Sequence, residues 1–318
     1  MSETVPLLDI VQTKRQKALS AQKKQSLDDR DLIDRAYNQV TAELLLRGEH
    51  KEKEKAVRLK GCGEAFYSKK CQNDGFIAGS VKSFCGENRL CPTCARIRRQ
   101  EILADISGLI KVINNRPVMG FRWRLLTLTI KTEGRYREAA ETALKGFSQL
   151  WRGYLKGGRG LPTAAVVHLE NAPQTGNVHL HGLFYGPYLN HFELSRRWAK
   201  ITGSFIVHVK DVRGRDLRRA AGEVLKYMTK FTEVSNEKLV ELWRANRRLK
   251  LLRRYGLLRK DCLEAWSGEA IVASTKEIKE PICPICGCQD YDYILVNDQG
   301  GRAPPLEKLG GLAEIKNA

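Results

Sequence analysis

Two histidines stand two residues apart in Asn177–Tyr185 (NVHLHGLFY), a run rich in apolar residues. Side chains on a strand alternate faces, so Val178, Leu180, Gly182 and Phe184 point one way while His179 and His181 point the other. A second short run, Ala164–Glu170 (AAVVHLE), precedes it across a segment containing Pro173 and Gly176, and the two together predict a hairpin. If Asn171 pairs with Val178, Glu170 falls opposite His179 and His168 opposite His181. Two imidazoles and a carboxylate on one face suit a divalent ion. Glu170 is the expected third ligand, with His168 equally placed by register.

Cysteine supplies a second chemistry. Cys91-Pro-Thr-Cys94 can grip one ion from a tight turn, and it sits in a run with Cys62, Cys71 and Cys85, flanked by Lys82, Arg96, Arg98 and Arg99. A structural Zn²⁺ is expected here, with Cys71, Cys85, Cys91 and Cys94 as the favoured ligands and Cys62 in reserve. Cys283-Pro-Ile-Cys286-Gly-Cys288 is a further half-site whose partners must come from elsewhere, Cys262 being near in sequence and the first cluster being the other source.

A third group lies on a predicted helix, Asp216–Phe231. Glu223, Tyr227 and Lys230 stack along one stripe of it, with Lys226 beside them. A phenol is a poor nucleophile near neutral pH unless a base, a cation or a metal-polarised electrophile assists it. Between Glu241 and Lys260 eight basic residues face one acidic residue, interleaved with Trp243, Leu249, Leu251, Leu252 and Tyr255. A basic amphipathic helix is the reading, with Arg247, Arg248, Arg253 and Arg254 as expected phosphate contacts alongside Lys226.

The elements that must position these groups follow from periodicity. Phe121–Lys131 reads as a strand, Tyr136–Leu155 as a helix, then come the hairpin, a short helix Phe192–Lys200, a strand Phe205–Val212 and the helix Asp216–Phe231. The order β-α-β-β-α-β-α predicts an α+β fold, a ferredoxin-like antiparallel sheet with helices on one face. Upstream, Ser26 and Asp29 suit a capped helix bearing Leu32, Ile33, Ala36, Val40 and Leu44, followed by the charged run Glu49–Lys55; this reads as a solvated arm without chemistry. The expected divisions are a helical extension at 1–56, a Cys-rich module at 57–117, the sheet domain at 118–235, a basic helical segment at 236–275, and the knuckle with a Gly- and Pro-rich tail at 276–318.

Composition bounds the function. With 55 Lys and Arg against 36 Asp and Glu, the 318-residue chain carries a formal charge of +19, so a polyanion is the partner to consider first. Residues 1–56 are nearly balanced, at 11 basic and 10 acidic, which moves the basic excess beyond them. No run approaches a membrane span and the first residues lack a signal peptide's apolar segment, so a cytoplasmic protein with reduced cysteines is expected.

Taken in order, Leu125–Ile130 (LLTLTI), Val178-His-Leu-His181 and Glu223-Val-Leu-Lys-Tyr227-Met-Thr-Lys230, preceded by Arg89-Leu-Cys-Pro-Thr-Cys94, resemble the rolling-circle plasmid replication initiators of the HUH endonuclease superfamily. The likeness is to members pairing one tyrosine with a glutamate four residues earlier, and it spans roughly Cys62 to Tyr255, about 60% of the chain. It implies His179 and His181 as ligands of Mg²⁺ or Mn²⁺, Glu170 as the third ligand, Tyr227 as nucleophile, Glu223 as the base for a second cleavage and Lys230 as the phosphate-positioning lysine. It implies DNA as substrate, at a single-stranded or hairpin nick site of a plasmid origin, and host helicase, polymerase and single-strand-binding protein as partners. An HUH transposase or relaxase, and a non-enzymatic zinc-dependent nucleic-acid-binding protein, are the alternatives. Glu223 argues against the first.

Overall fold

The computed structural model describes residues 27–64, 66–132, 134–158, 160–172, 177–213, 216–226, 228, 234–268, 270, 283–288, 290–297 and 313–314. In chain order they form α1 (Leu27–Leu46), α2 (His50–Lys60), β1 (Phe66–Cys71), β2 (Ile77–Lys82), α3 (Pro92–Asn114), β3 (Arg122–Lys131) and α4 (Tyr136–Leu150). A π-helical turn, Trp151–Leu155, extends α4. Then follow β4 (Ala164–Ala172), β5 (Asn177–Gly186), α5 (His191–Thr202), β6 (Val207–Val212), α6 (Leu217–Lys226), α7 (Asn236–Ala245), β7 (Leu252–Gly256), α8 (Lys260–Ser267), β8 (Tyr291–Asn297) and β9 (Ala313–Glu314). The class is α+β with antiparallel sheets.

The described residues fall into two compact units, one drawn from 1–98, 232–240 and 276–318, the other from 99–231 and 241–275. The expected boundaries at 117 and 235 are therefore corrected. The first division falls inside α3, whose early turns carry Cys94 and whose later turns bury Ile106, Ile110 and Ile113 against the second unit's sheet. Among the described residues no helix is long and apolar enough to cross a membrane.

In the first unit the strand order is β8-β1-β2-β9, each neighbouring pair antiparallel. α1 is not the solvated arm the sequence suggested, because it packs along α2 and buries Tyr37, Val40, Ala42 and Leu45. Its inward face also carries Asp34, Asn38 and Thr41, while Leu32 is 64% exposed. The side chain of Asn236 donates to Tyr37 O at 3.1 Å and to Thr41 Oγ1 at 2.6 Å, which ties the start of α7 to α1. The charged run after Glu49 is the first half of α2, where Lys55 (2.6 Å) and Arg58 both pair with Glu87 of the loop before Cys91. The proposed cap, Ser26, lies outside the described residues.

In the second unit the order is β6-β3-β5-β4-β7, again antiparallel throughout. Helices cover both faces of this sheet, not one. On the first face Leu126, Leu128, Val167, Leu169, Val178, Leu180 and Phe184 meet Ala143, Leu144 and Phe147 of α4 and Leu194 and Trp198 of α5. On the second, Trp123, Val166, Leu183 and Tyr185 meet α3, the α6 residues Leu217, Ala221, Val224 and Leu225, and Leu263 of α8. The first face is apolar along the whole of β5, but the second is apolar only toward the β5 C-terminus, where α6 covers it. Gly182 has no space for a side chain, since a Cβ there would lie 2.9 Å from Val167 Cγ1 and 3.4 Å from Val166 O. The absence of a Cβ lets β3 and β4 close around β5 beside His181.

Candidate metal centres and the histidine face

The β4–β5 register sets Glu170 opposite His179 and His168 opposite His181, and the β3–β5 register sets Thr129 opposite His179 and Thr127 opposite His181. Alternation then gathers these six side chains on the second face of the sheet. Thr129 Oγ1 lies 2.9 Å from His179 Nδ1 and Thr127 Oγ1 lies 3.3 Å from His181 Nδ1. A hydroxyl on Nδ1 orients each ring and directs the opposite nitrogen, Nε2, toward a ligand position. The ring centroids are 5.7 Å apart. Glu170 Oε2 sits 2.8 Å from His181 Nε2, so the carboxylate reaches diagonally past its directly paired His179. His168 lies deeper, 6% exposed, with Leu252 of β7 on its other side.

α6 packs against β4 and β5 on this same face. It is described as Leu217–Lys226, and Tyr227 and Lys230 lie outside the described residues. Glu223 points away from the buried stripe of α6, with its carboxylate hydrogen-bonded by Lys226. That hydrogen bond, followed by the charges of Lys226, Arg219 and Arg99, holds the Glu223 carboxyl below its ordinary range against a smaller opposing effect of burial. Lys226, expected on phosphate, is here engaged with Glu223.

The cysteines sort differently from the expectation. Cys62, Cys85, Cys91 and Cys94 bring their sulfurs within 4.8 Å of one another, and Cys71 joins Asp74, Cys283 and Cys286 instead. The favoured set is thus corrected by exchanging Cys71 for Cys62. The β1–β2 hairpin gives the reason. Cys71 ends β1 at the turn, whereas Cys62 and Cys85 lie beyond the open end, where Gly63 N donates to Ser83 O at 2.9 Å. A six-residue strand at about 3.3 Å per residue separates those ends by far more than one ion can span.

In the first set, Cys62 Sγ lies 3.5 Å from Cys91 Sγ and 3.7 Å from Cys94 Sγ, and Cys85 Sγ lies 3.5 Å from Cys94 Sγ. Four thiolates at about 2.3 Å from a tetrahedral Zn²⁺ would stand roughly 3.8 Å apart, so the set fits the ion with little adjustment. Cys91 and Cys94 flank the first turn of α3, where unpaired backbone N–H groups favour thiolate, with Pro92 between them at a position that needs no donor. Crowding opposes simultaneous ionisation in the absence of a cation. Contacts from Cys62, Cys85 and Cys94 push the Cys91 thiol far down, while Cys62, Cys91 and Cys94 push Cys85 far up.

Residues unnoticed in the sequence support this centre. Asn38 Nδ2 donates to Cys91 Sγ at 3.3 Å, and Asp34 accepts from Thr93 Oγ1 at 2.9 Å and from Arg96. Each is a polar residue at an inward position of α1, a signal that apolar periodicity discards. Arg96 is therefore engaged within the unit, and Arg99 donates to Gly222 O at 3.2 Å.

The basic segment is not one helix. α7 stops at Ala245, Arg248 takes a left-handed φ of 68°, and β7 then pairs with β4 at the sheet edge. Alternation sends Arg253 to one face, where it donates to Leu144 O at 3.2 Å, and Arg254 to the other, where it pairs with Asp105 at 2.5 Å. Both expected phosphate contacts thus have partners within the fold. Arg247 rests over the Trp243 ring at 5.8 Å. Cys262 is on α8, in the other unit from the knuckle it neighbours in sequence.

Comparison with protein-family models, with curated proteins and with solved structures returns no match to this chain.

Proposed function

We propose that this chain is an HUH-type DNA endonuclease that nicks and rejoins a single strand at a plasmid origin to initiate rolling-circle replication. One observation carries the reading. His179, His181 and Glu170 share the sheet face on which α6 lies, and α6 leads directly into Tyr227. The strand order β6-β3-β5-β4, with α4 and α5 as the crossovers, supports a ferredoxin-like sheet bearing β7 as an added edge. The Cys62, Cys85, Cys91 and Cys94 set supports a structural Zn²⁺.

Mg²⁺ or Mn²⁺ held by His179, His181 and Glu170 would supply charge stabilisation at the scissile phosphodiester. Thr127 and Thr129 orient the two imidazoles. The Tyr227 phenol oxygen attacks phosphorus, its proton is lost, and the departing 3′-oxygen takes up a proton to become a 3′-OH primer, leaving a 5′-phosphotyrosine. At termination Glu223 removes a proton from water, whose oxygen attacks the phosphorus of the regenerated junction and frees a 3′-OH; that hydroxyl then displaces Tyr227, whose phenol oxygen regains a proton, and rejoins the strand. Lys230 steadies the phosphate through its charge. The net charge of +19 suits a polynucleotide, and the exposed primer suits host helicase, polymerase and single-strand-binding protein as partners.

A second reading, a zinc-dependent nucleic-acid-binding protein without catalysis, draws on a different observation. Among the described residues the sets of ligand atoms gathered within 4.8 Å are the two cysteine-centred ones, and the histidine face does not form a third. Incubation with single-stranded oligonucleotides of origin sequence in Mg²⁺ or Mn²⁺, followed by denaturing electrophoresis, separates the readings. The endonuclease yields a covalent adduct that Tyr227→Phe abolishes. Binding without cleavage on every candidate strand would leave the second reading standing.

A further inference from the structure

Cys71-Gln-Asn-Asp74-Gly75 and Cys283-Pro-Ile-Cys286-Gly287 are the same turn built twice. In the first, Gly75 N donates to Cys71 O at 3.0 Å and Cys71 N to Phe76 O at 2.8 Å. In the second, Gly287 N donates to Cys283 O at 2.9 Å and Cys283 N to Cys288 O at 2.9 Å. Both turns close on a left-handed glycine, with φ of 76° and 74°, a conformation that costs glycine no Cβ clash. Each presents ligand atoms three residues apart, the spacing with which a knuckle grips one ion.

The two turns face each other. Asp74 Oδ2 lies 3.1 Å from Cys283 Sγ, Cys71 Sγ lies 3.4 Å from Cys286 Sγ, and the four ligand atoms fall within 4.8 Å of one another. Gln72 N donates to Asp290 O at 3.1 Å, and the β1–β8 ladder ends at the Cys71–Tyr291 pair beside them. Cys288 Sγ stands 3.1 Å from Cys71 Sγ, next to the four. Cys71 and Cys286 are 215 residues apart in the chain, so nothing local holds them together.

We infer that these knuckles bind a second Zn²⁺ through Cys71, Asp74, Cys283 and Cys286, and that the ion pins β8 to β1. The inference does not depend on the endonuclease reading. Both pairs of ligands are set by backbone hydrogen bonds within their own turns, and the ion would add a link across a long chain closure that the β1–β8 ladder and the Gln72–Asp290 hydrogen bond already bring together. Zinc accepts a carboxylate oxygen beside thiolate sulfur, and Asp74 is a ligand of ordinary type at the position that Cys286 fills in the other turn.

The test uses the full chain purified without chelator, with zinc per chain measured by elemental analysis. Two equivalents are expected, falling to one in the Cys283→Ser, Cys286→Ser double variant, whereas one equivalent in the unmodified chain overturns the inference. Cobalt replacement avoids any folding defect of the variants. Charge-transfer absorbance should correspond to seven Co–S bonds, four from the first set and three from the second, with Asp74 as the oxygen ligand. Asp74→Cys should raise this to eight and tighten the second ion, and Asp74→Asn should weaken it at least 10-fold. If Asp74→Asn leaves affinity unchanged while Cys288→Ser loses one equivalent, the ligand set is wrong. Amide exchange in residues 291–297 should slow when the second equivalent is added; no change would refute the pinning.

Discussion

Glu170 and His181 are joined diagonally across the β4–β5 ladder, Oε2 to Nε2 at 2.8 Å, although the register pairs Glu170 with His179. The carboxylate is thereby bonded to His181, while His168, set opposite His181 on the same strand as Glu170, is 6% exposed. Glu170→Ala is expected to weaken Mn²⁺ binding roughly 10–100-fold, the usual scale for a group that holds or orients a metal ligand, and His168→Ala to leave it within about 3-fold. Titration followed by electron paramagnetic resonance reads both. The reverse order of effects would make His168 the third ligand.

Tyr227 and Glu223 should separate cleanly in kinetics. On the proposed mechanism Tyr227→Phe should lose the attacking oxygen and with it the adduct, whereas Glu223→Ala should retain nicking and joining and slow hydrolytic release by about 10²–10⁴-fold. Glu223 is held below its ordinary pKa by its bond to Lys226, so its charge is present above the ordinary range and is lost only as pH falls through the depressed value. Release should accordingly be flat on the acid side down to about pH 5. An acid limb near pH 6 that stays in place in Lys226→Met would belong to another group and would remove Glu223 as the base.

The amide of Asn38 tests how far α1 serves the zinc centre. Asn38→Ala deletes a donor to Cys91 Sγ and should lower zinc affinity roughly 10–100-fold at unchanged stoichiometry. Because thiolates bind metal in competition with protons, zinc release should begin at a higher pH in the variant as the solution is acidified. Competition against a chromophoric chelator measures both quantities. Equal affinities would reduce Asn38 to a packing residue.

Gly182 offers a purely steric prediction. Gly182→Ala puts a methyl group 2.9 Å from Val167 Cγ1 between paired strands, an overpacking expected to cost about 1–3 kcal/mol in stability by urea denaturation. Moving β4 off β5 also moves Glu170 off His181, so Mn²⁺ affinity should fall with stability. A variant that loses stability but keeps the ion would show that the histidine face does not rely on this close approach.

Short-range patterns determined a good deal by themselves. Alternation in Asn177–Tyr185 assigned the two histidines to one face, and turn residues placed the hairpin whose register pairs His168 with His181 and Glu170 with His179. Those inferences hold because strand period and hairpin register are properties of neighbouring residues. Tertiary structure decided the rest. Which cysteine leaves the Cys62–Cys94 run could not be read from spacing, because the β1–β2 hairpin carries Cys71 away to a knuckle more than two hundred residues later. Arg253 and Arg254 look like one basic stripe until β7 pairs with β4 and sends them to opposite faces. The buried side of α1 carries Asp34 and Asn38, which reach residues of the α3 start, beside the apolar Tyr37, Val40, Ala42 and Leu45, a long-range arrangement that the order of its apolar side chains does not show. Local geometry is written in adjacent residues, but a ligand set or a cation's partner depends on chain closures that only the assembled fold makes.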